Sequence, residues 1–119
     1  MKELMEQWGG SAWPELIRNL PEADVPVPGV TAWLMEGSGR QIVFFDIDQT
    51  AEVPPHSHCA QWGMMVEGDM SITIGDKVHR VKNGDWYFIP EGTTHSAVFH
   101  SRCFVIDMFD SNDRYKAKA

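Results

Sequence analysis

Short apolar segments separated by turn residues follow one another closely from residue 30 to residue 109. Gly75-Asp76 is a typical hairpin connection, and Asn83-Gly84-Asp85 marks a further turn. This pattern is typical of an all-β sandwich or barrel, and no helical period interrupts it. We therefore predict about nine strands in this region. They are Val30–Met35, Gln41–Asp48, Val53–His58, Gln61–Glu67, Met70–Ile74, Lys77–Val81, Trp86–Ile89, Ser96–His100 and Cys103–Phe109.

The segments on either side of the predicted strands have a different character. Residues 1–29 offer a short helix that ends at Gly9-Gly10, a second helical turn that begins near Pro14, and a proline-rich extended stretch. We expect this segment to be an N-terminal arm laid on the barrel and not a separate domain. Residues 30–110 form the predicted barrel, and residues 111–119 form a polar tail.

Length and composition restrict the class of protein. A chain of 119 residues with 43% hydrophobic residues suits one globular domain, and no apolar run approaches the ~20 residues of a membrane helix. Acidic residues outnumber basic ones by 17 to 10, and a net charge of −7 repels a phosphate backbone. We therefore predict a soluble protein with no nucleic-acid or membrane partner.

The beginning of the chain and its two cysteines bear on the compartment. Residues 1–8 are partly acidic and lack the apolar stretch of a secretory signal. Cys59 and Cys103 are too few for a disulfide framework, and we expect both to be thiols in a reducing cytoplasm, although one disulfide is compatible with the sequence.

Three histidines suggest a metal site. His56 and His58 stand at positions i and i+2 of a predicted strand, so their side chains should project from the same face. Neutral imidazole is a common ligand for divalent first-row metals. With His95 as a third nitrogen ligand, the sequence predicts a site for one divalent metal ion.

Two motifs carry a resemblance to a known family. His56-Ser57-His58 is followed by Gln61 and, after six residues, by Gly68. Gly84, after five residues, leads to Pro90-Glu91-Gly92 and then to His95. With this spacing the chain resembles the cupin superfamily, which are small β-barrels of jelly-roll type. The resemblance implies a double-stranded β-helix that holds Fe, Mn, Ni, Zn or Cu in the divalent state through His56, His58 and His95.

The chain departs from the family pattern at Gln61, where a glutamate is expected. The amide oxygen can coordinate a metal but brings no negative charge. Two alternatives stay open, namely that Gln61 is a fourth ligand or that its amide hydrogen-bonds a water bound to the metal. Thr50 and Phe99 also replace the usual glycine and asparagine, at positions that mainly shape turns and packing.

Several other residues are candidates for the surrounding pocket. If Gln61 faces inward, Met65 shares its face along the strand and walls the cavity. Aromatic side chains can line the cavity or serve as plain core; they are Tyr87, Phe88, Phe45 and Phe99. Asp107 interrupts an apolar run, and it is a candidate general base if it faces inward, but we favour an outward, solvated position. Cys59 should point away from the face of His58 and be a thiol rather than a ligand.

These observations leave three functions open. The first is a metal enzyme that acts on a small oxygen-bearing organic molecule as a dioxygenase, isomerase or lyase, and the alternative is a non-catalytic module that binds or senses a small anion or sugar. A third is a scaffold domain without metal. Because Trp62, Met64 and Val66 should face outward and need cover, we also predict a homodimer, with edge strands and the N-terminal arm containing Trp8 and Trp13 as candidate contacts.

Overall fold

Nine strands and two short helices make up the part of the protein that the structure describes, which is residues 2–119 of a computed structural model. The helices are α1 (Lys2–Gln7) and α2 (Glu15–Arg18). The strands are β1 (Val30–Gly37), β2 (Arg40–Ile47), β3 (Glu52–His56), β4 (Gln61–Glu67), β5 (Asp69–Ile74), β6 (Lys77–Lys82), β7 (Trp86–Ile89), β8 (His95–Phe99) and β9 (Cys103–Phe109). All nine predicted strands are confirmed, with ends that differ by up to two residues; β3 ends at His56, so that His58 lies in the loop that follows.

The strands form two antiparallel sheets that enclose a jelly-roll barrel. One sheet has the order β1-β2-β9-β4-β7 and the other the order β3-β8-β5-β6. Side chains alternate between the inside and the outside, as along β2, where Gln41, Val43, Phe45 and Ile47 are buried. The predicted all-β jelly-roll fold is confirmed.

The core lies between the inner faces of the two sheets. Its largest fully buried side chains include Phe104, Phe109, Met65, Ile89, Val43 and Val105. Each such side chain contributes about 1.5–3 kcal/mol when it leaves water. A cavity remains between the sheets beside this core.

The N-terminal arm is attached to the outside of the larger sheet. The Trp13 indole Nε1 donates to the carbonyl oxygen of Phe45 at 3.1 Å, and its ring packs edge-on against Phe44 and Phe104 at 5.4 and 6.0 Å. Trp13 is therefore buried within its own chain, with 3% of its surface exposed, and offers almost no surface to a second copy.

The C-terminal segment folds back over the barrel, although its sequence predicted only a polar tail. The Asp24 N–H donates to the Lys116 carbonyl at 2.7 Å, and Ala23 forms a bridge with Ala117. The Tyr115 ring packs edge-on against Phe45 and Phe109. This segment consequently forms part of the cavity wall.

Within residues 2–119, no helix has both the length and the apolar character needed to cross a membrane. The cytoplasmic compartment stays a prediction of the sequence.

Candidate metal centre and its cavity

The three predicted histidines converge at one end of the barrel. His56 ends β3 and is paired in register with His95, which begins β8. His58 follows β3 in a loop that turns its ring back toward the other two. One nitrogen from each ring lies within 4.8 Å of the others, and His58 Nε2 is 3.1 Å from His95 Nε2.

Backbone carbonyls determine which nitrogen of each ring carries the hydrogen. His56 Nδ1 lies 2.9 Å from the oxygen of Pro54, His58 Nδ1 lies 2.8 Å from that of Cys59, and His95 Nδ1 lies 2.9 Å from that of Thr93. A carbonyl oxygen only accepts, so each Nδ1 must donate, and in the neutral form of the ring Nε2 carries a bare lone pair. Converging lone pairs repel unless a cation lies between them, and the three rings therefore fit a divalent metal ion.

The acid–base state of the rings suits the same role. The pKa of His58 is lowered from 6.5 to about 4, mainly by burial and to a smaller extent by the charges of Arg114 and the neighbouring imidazoles, against the opposing effect of the hydrogen bond to the Cys59 carbonyl. Burial also lowers the pKa of His95. Both rings are therefore neutral at pH 7, which is the form that binds a metal.

Gln61 begins β4 and is buried in the same cavity. Within the described residues its Oε1 has no hydrogen-bond partner, although a buried amide oxygen normally has one. An orphaned acceptor in the cavity that the three histidines also line fits a metal ion or a water bound to it. Both alternatives left open by the sequence are compatible with this position.

The cavity has a volume of about 480 Å³, which is within the range of small-ligand sites. Phe45, Phe99 and Tyr87 line it, while Phe88 faces outward. Met65 is fully buried but is not a wall of the cavity, contrary to prediction. The reason is that the side chains of Tyr87 and Asp107 meet over Gly63, between Gln61 and Met65 in β4, and close the cavity there.

Asp107 faces inward, so the favoured outward position was wrong. The alternation along β9 explains this, because Val105, Asp107 and Phe109 are all buried. The Tyr87 hydroxyl donates to Asp107 Oδ1 at 2.6 Å. Burial raises the pKa of Asp107 from 3.8 to about 6, while hydrogen bonds from Tyr87 and Gln61 act in the opposite direction. Burial, reinforced by the Asp107 carboxylate, raises the pKa of Tyr87 well above 10.

Gly63 makes the contact between these two residues possible. It is paired with Tyr87 on one side and with Asp107 on the other. A Cβ atom at Gly63 would lie 2.0 Å from Asp107 Oδ1 and 2.2 Å from Cζ of Tyr87. Only a residue without a side chain leaves room for the hydrogen-bonded pair.

The C-terminal segment supplies a cation to the cavity. The Arg114 guanidinium lies 4.3 Å from the centre of the Tyr115 ring and 5.7 Å from that of Phe109, and Arg114 lines the cavity. Its Nε is buried without a hydrogen-bond partner, and it forms no ion pair with any described residue. Its charge contributes to the lowered pKa of His58 and His95 and opposes the rise in the pKa of Asp107.

The family model described as "Cupin domain" matches residues 42–109, which contain all three histidines. The chain belongs to the cupin family.

Solved structures agree with this cupin assignment. KdgF from Halomonas sp. is 26% identical with a TM-score of 0.67, over 73% of this chain and 84% of that one. An RmlC-like cupin from Shewanella frigidimarina is 24% identical with a TM-score of 0.69, over 76% of this chain and 84% of that one. A single-residue variant of oxalate decarboxylase from Bacillus subtilis is 20% identical with a TM-score of 0.69, over 82% of this chain and 29% of that one. The last two show the fold alone, and no curated protein matches the chain.

Cys59 of this cupin lies beside the histidines but outside their cluster. Its Sγ is 3.9 Å from His58 Nδ1, the nitrogen that bonds the Cys59 carbonyl. Burial raises the pKa of the thiol above 9.0, which disfavours the thiolate that a metal would bind. The buried Cys103 is likewise a free thiol.

Sequence reasoning missed Arg114 and Gly63 as residues of this site. The segment around Arg114 is polar and has no strand or helix pattern, so the sequence indicated only a polar tail. Gly63 lies in the middle of a strand, where an isolated glycine is a signal for close approach of another group. That signal was present in the sequence, but the identity of the approaching side chains depends on the strand order.

Proposed function

We propose that this cupin is an enzyme that binds one divalent transition metal ion and moves a proton on a small, anionic, oxygen-bearing molecule, as an isomerase or lyase does. His56, His58 and His95 would hold the ion, with Gln61 as a fourth ligand or as a partner of bound water. The observation that carries the proposal is the buried Asp107 carboxylate in the same cavity as the histidine cluster. When bound, a divalent ion supplies Lewis-acid polarisation of a substrate oxygen.

Asp107 would act as the general base. A carboxyl group with a pKa of about 6 is mostly ionised at pH 7 and still holds a proton well enough to return it. It would take a proton from a carbon next to a carbonyl, and the electron pair of that C–H bond would form an enolate. The hydrogen bond from Tyr87 would orient the carboxylate for this transfer. The proton would then return to another carbon, or a leaving group would depart.

Arg114 would select the ligand by charge. Its guanidinium has no carboxylate partner in the described residues, and buried donors of this kind bind carboxylate groups well. The apolar walls around it leave few other polar contacts for the remainder of the ligand. A small 2-oxo acid or sugar acid combines the required carboxylate and carbonyl.

Proton exchange tests the proposal directly. The metal-loaded protein would be incubated in deuterium oxide with pyruvate and other 2-oxo acids, and the loss of the proton signals next to the carbonyl followed by NMR. We expect exchange with the wild-type protein, and about 1,000-fold less with Asp107→Asn at unchanged metal content. Binding of these compounds without exchange would contradict the enzyme proposal and favour the alternative of an anion- or sugar-binding module.

We also propose that the chain forms a homodimer through the outer face of the larger sheet, beside the part of that face where Trp13 of the N-terminal arm packs against Phe44. The pairing register places one apolar residue from each of the five strands in a row, and a second such row lies beside it. The first row is Met35, Ile42, Met108, Trp62 and Phe88, and the second is Trp33, Phe44, Ile106, Met64 and Trp86. Trp86 and Phe88 are 66% and 53% exposed. Val66 lies at a bulge outside both rows.

The charge distribution favours a second copy as the partner on this face. The two rows contain no charged side chain, whereas the chain carries a net charge of −7. Two copies can therefore meet here without bringing like charges together, and a two-fold interface pairs each patch with itself. In sedimentation experiments we expect the wild-type protein to have twice the 13.5 kDa mass of one chain and Phe88→Glu to be a monomer. Val78→Glu, at an exposed position on the other sheet, is the control and should remain a dimer. A wild-type monomer at 100 µM would contradict the proposal.

A further inference from the structure

We infer that Gln41 is a positioning residue whose buried amide holds the backbone of residues 112–115 and so places Arg114 at the cavity. The inference deepens the proposed function and rests on it, because it takes Arg114 as the group that binds the charge of the ligand. Gln41 lies in β2, outside both histidine motifs, and is fully buried.

The Gln41 amide pairs with the C-terminal segment as a neighbouring strand would. Its Nε2 donates to the Tyr115 carbonyl at 2.8 Å, and its Oε1 accepts from the Tyr115 N–H at 3.0 Å. The same Nε2 lies 3.1 Å from the Asn112 carbonyl and 2.7 Å from Glu36 Oε1. The side chain therefore fixes the backbone on both sides of Asp113 and Arg114.

Arg114 has few other constraints on its position. Residues 110–114 contain no helix or strand, and the guanidinium is held by ring contacts with Tyr115 and Phe109 but by no ion pair in the described chain. Among the described residues, Gln41 is the side chain of the barrel that hydrogen-bonds to the backbone of 112–115. Loss of its amide would remove these hydrogen bonds and leave the packing of the Tyr115 ring against Phe45 as the contact of this stretch with β2.

Loss of the Gln41 amide should disturb residues 112–115 more than the barrel. Gln41→Met keeps a side chain of similar length in the core but leaves the Tyr115 N–H and carbonyl without their partner. Unpaired backbone groups regain hydrogen bonds by moving into water, and the part that can move here is residues 111–115, between the backbone hydrogen bonds of Asp110 and Lys116. We expect the segment to detach locally while the barrel and the histidine cluster stay in place.

The experiment compares Gln41→Met with Arg114→Met, the double variant and Gln49→Met, a control at an exposed glutamine. Each protein would be loaded with cobalt(II), and its affinity for pyruvate measured by calorimetry. The visible spectrum of the cobalt ion would report whether its ligands are unchanged. Hydrogen exchange at the Tyr115 amide would report the attachment of the segment independently of any ligand.

We expect Gln41→Met to weaken pyruvate binding about tenfold, to leave the cobalt spectrum unchanged, and to speed exchange at Tyr115 at least tenfold. In the double variant we expect no weaker binding than in Arg114→Met alone, because both substitutions would remove the same contact. Unchanged exchange in Gln41→Met would overturn the inference. Independent, additive losses in the double variant would also overturn it, since Gln41 would then act without Arg114.

Failure of the proposed function has a different signature. If Arg114→Met binds pyruvate as tightly as the wild type, Arg114 is not the anion-binding group, whatever Gln41 does. In that case faster exchange at Tyr115 in Gln41→Met would still establish that Gln41 attaches the segment, and unchanged exchange would refute even that.

Discussion

The cavity has two parts that are built by different means. The histidine end is formed by His56, His58 and His95, and the C-terminal end by Asp107, its partner Tyr87, and Arg114. At the histidine end, each ring is oriented by a backbone carbonyl one or two residues away, namely those of Pro54, Cys59 and Thr93. At the C-terminal end, the partners lie farther away in the chain: Asp107 is bonded by Tyr87, 20 positions away, and the backbone around Arg114 by Gln41, 71 to 74 positions away. Local construction makes the histidine end independent of the other, and metal binding and ligand chemistry should therefore be separable by mutation.

The largest effect should come from removing a histidine. His58→Ala deletes one of three converging imidazoles. Loss of a residue that only hydrogen-bonds a metal ligand lowers metal affinity up to about 100-fold, so we expect loss of a ligand to lower it by more than that. Elemental analysis of protein purified without a metal-affinity column measures how much metal each variant retains. His79→Ala, an exposed histidine on β6, should keep its metal. Stoichiometric metal in His58→Ala would remove this histidine from the site.

A substitution at Gly63, next to Asp107 and Tyr87, should disrupt the C-terminal end of the cavity but leave the metal in place. Gly63→Ala puts a Cβ atom within about 2 Å of both Asp107 and Tyr87, so that their hydrogen bond must break. We expect a loss of about 3 kcal/mol in the free energy of unfolding and loss of proton exchange, with normal metal content. Denaturant titration and elemental analysis measure the two effects.

Gly37→Ala is the matched control for this substitution, because a Cβ atom there meets nothing within 4 Å. If Gly63→Ala lost its metal while remaining folded, the two ends of the cavity would be coupled and the comparison would fail.

The same contrast explains what the sequence could and could not predict. Strand alternation and turn residues predicted all nine strands, because these signals lie within a few neighbouring residues. His95 is 37 positions from His58, and the resemblance of the two motifs to the cupin family placed it with His56 and His58. The orientation of Asp107 was present in the same alternation, since Val105 and Phe109 share its face. It was missed because a charged residue in an apolar run is usually solvated.

The remaining features depend on tertiary structure. Gln41 and Tyr115 are 74 positions apart, and no local pattern connects a strand residue with a polar C-terminal segment. The two apolar rows of the outer face likewise exist only because β9 lies between β2 and β4, an order that cannot be read from consecutive strands. Long-range pairing, and not residue type, determines these parts of the site and of the proposed interface.

The smallest predicted effect is a change of stability with pH, and it tests whether the pKa of Asp107 is raised as its burial requires. Its pKa is about 6 in the folded protein and near 3.8 when unfolded, so the folded state binds the proton more tightly. The stability associated with this proton is fully present below pH 3.8 and is lost as the pH rises through 6. At about 1.4 kcal/mol for each pKa unit, the loss amounts to about 2–3 kcal/mol.

Asp107→Asn carries no titrating group at this position and should escape that loss. In the absence of metal, we therefore expect the free energy of unfolding of the variant to rise by about 2–3 kcal/mol relative to that of the wild type as the pH goes from about 4 to 6.5. Above pH 6.5 the difference should stay constant. Urea titrations of both proteins in the presence of a chelator measure the difference, in which contributions from the histidines cancel because both proteins have them. A constant difference across this range would mean that the Asp107 carboxyl group titrates normally, and the base would have to be sought elsewhere in the cavity.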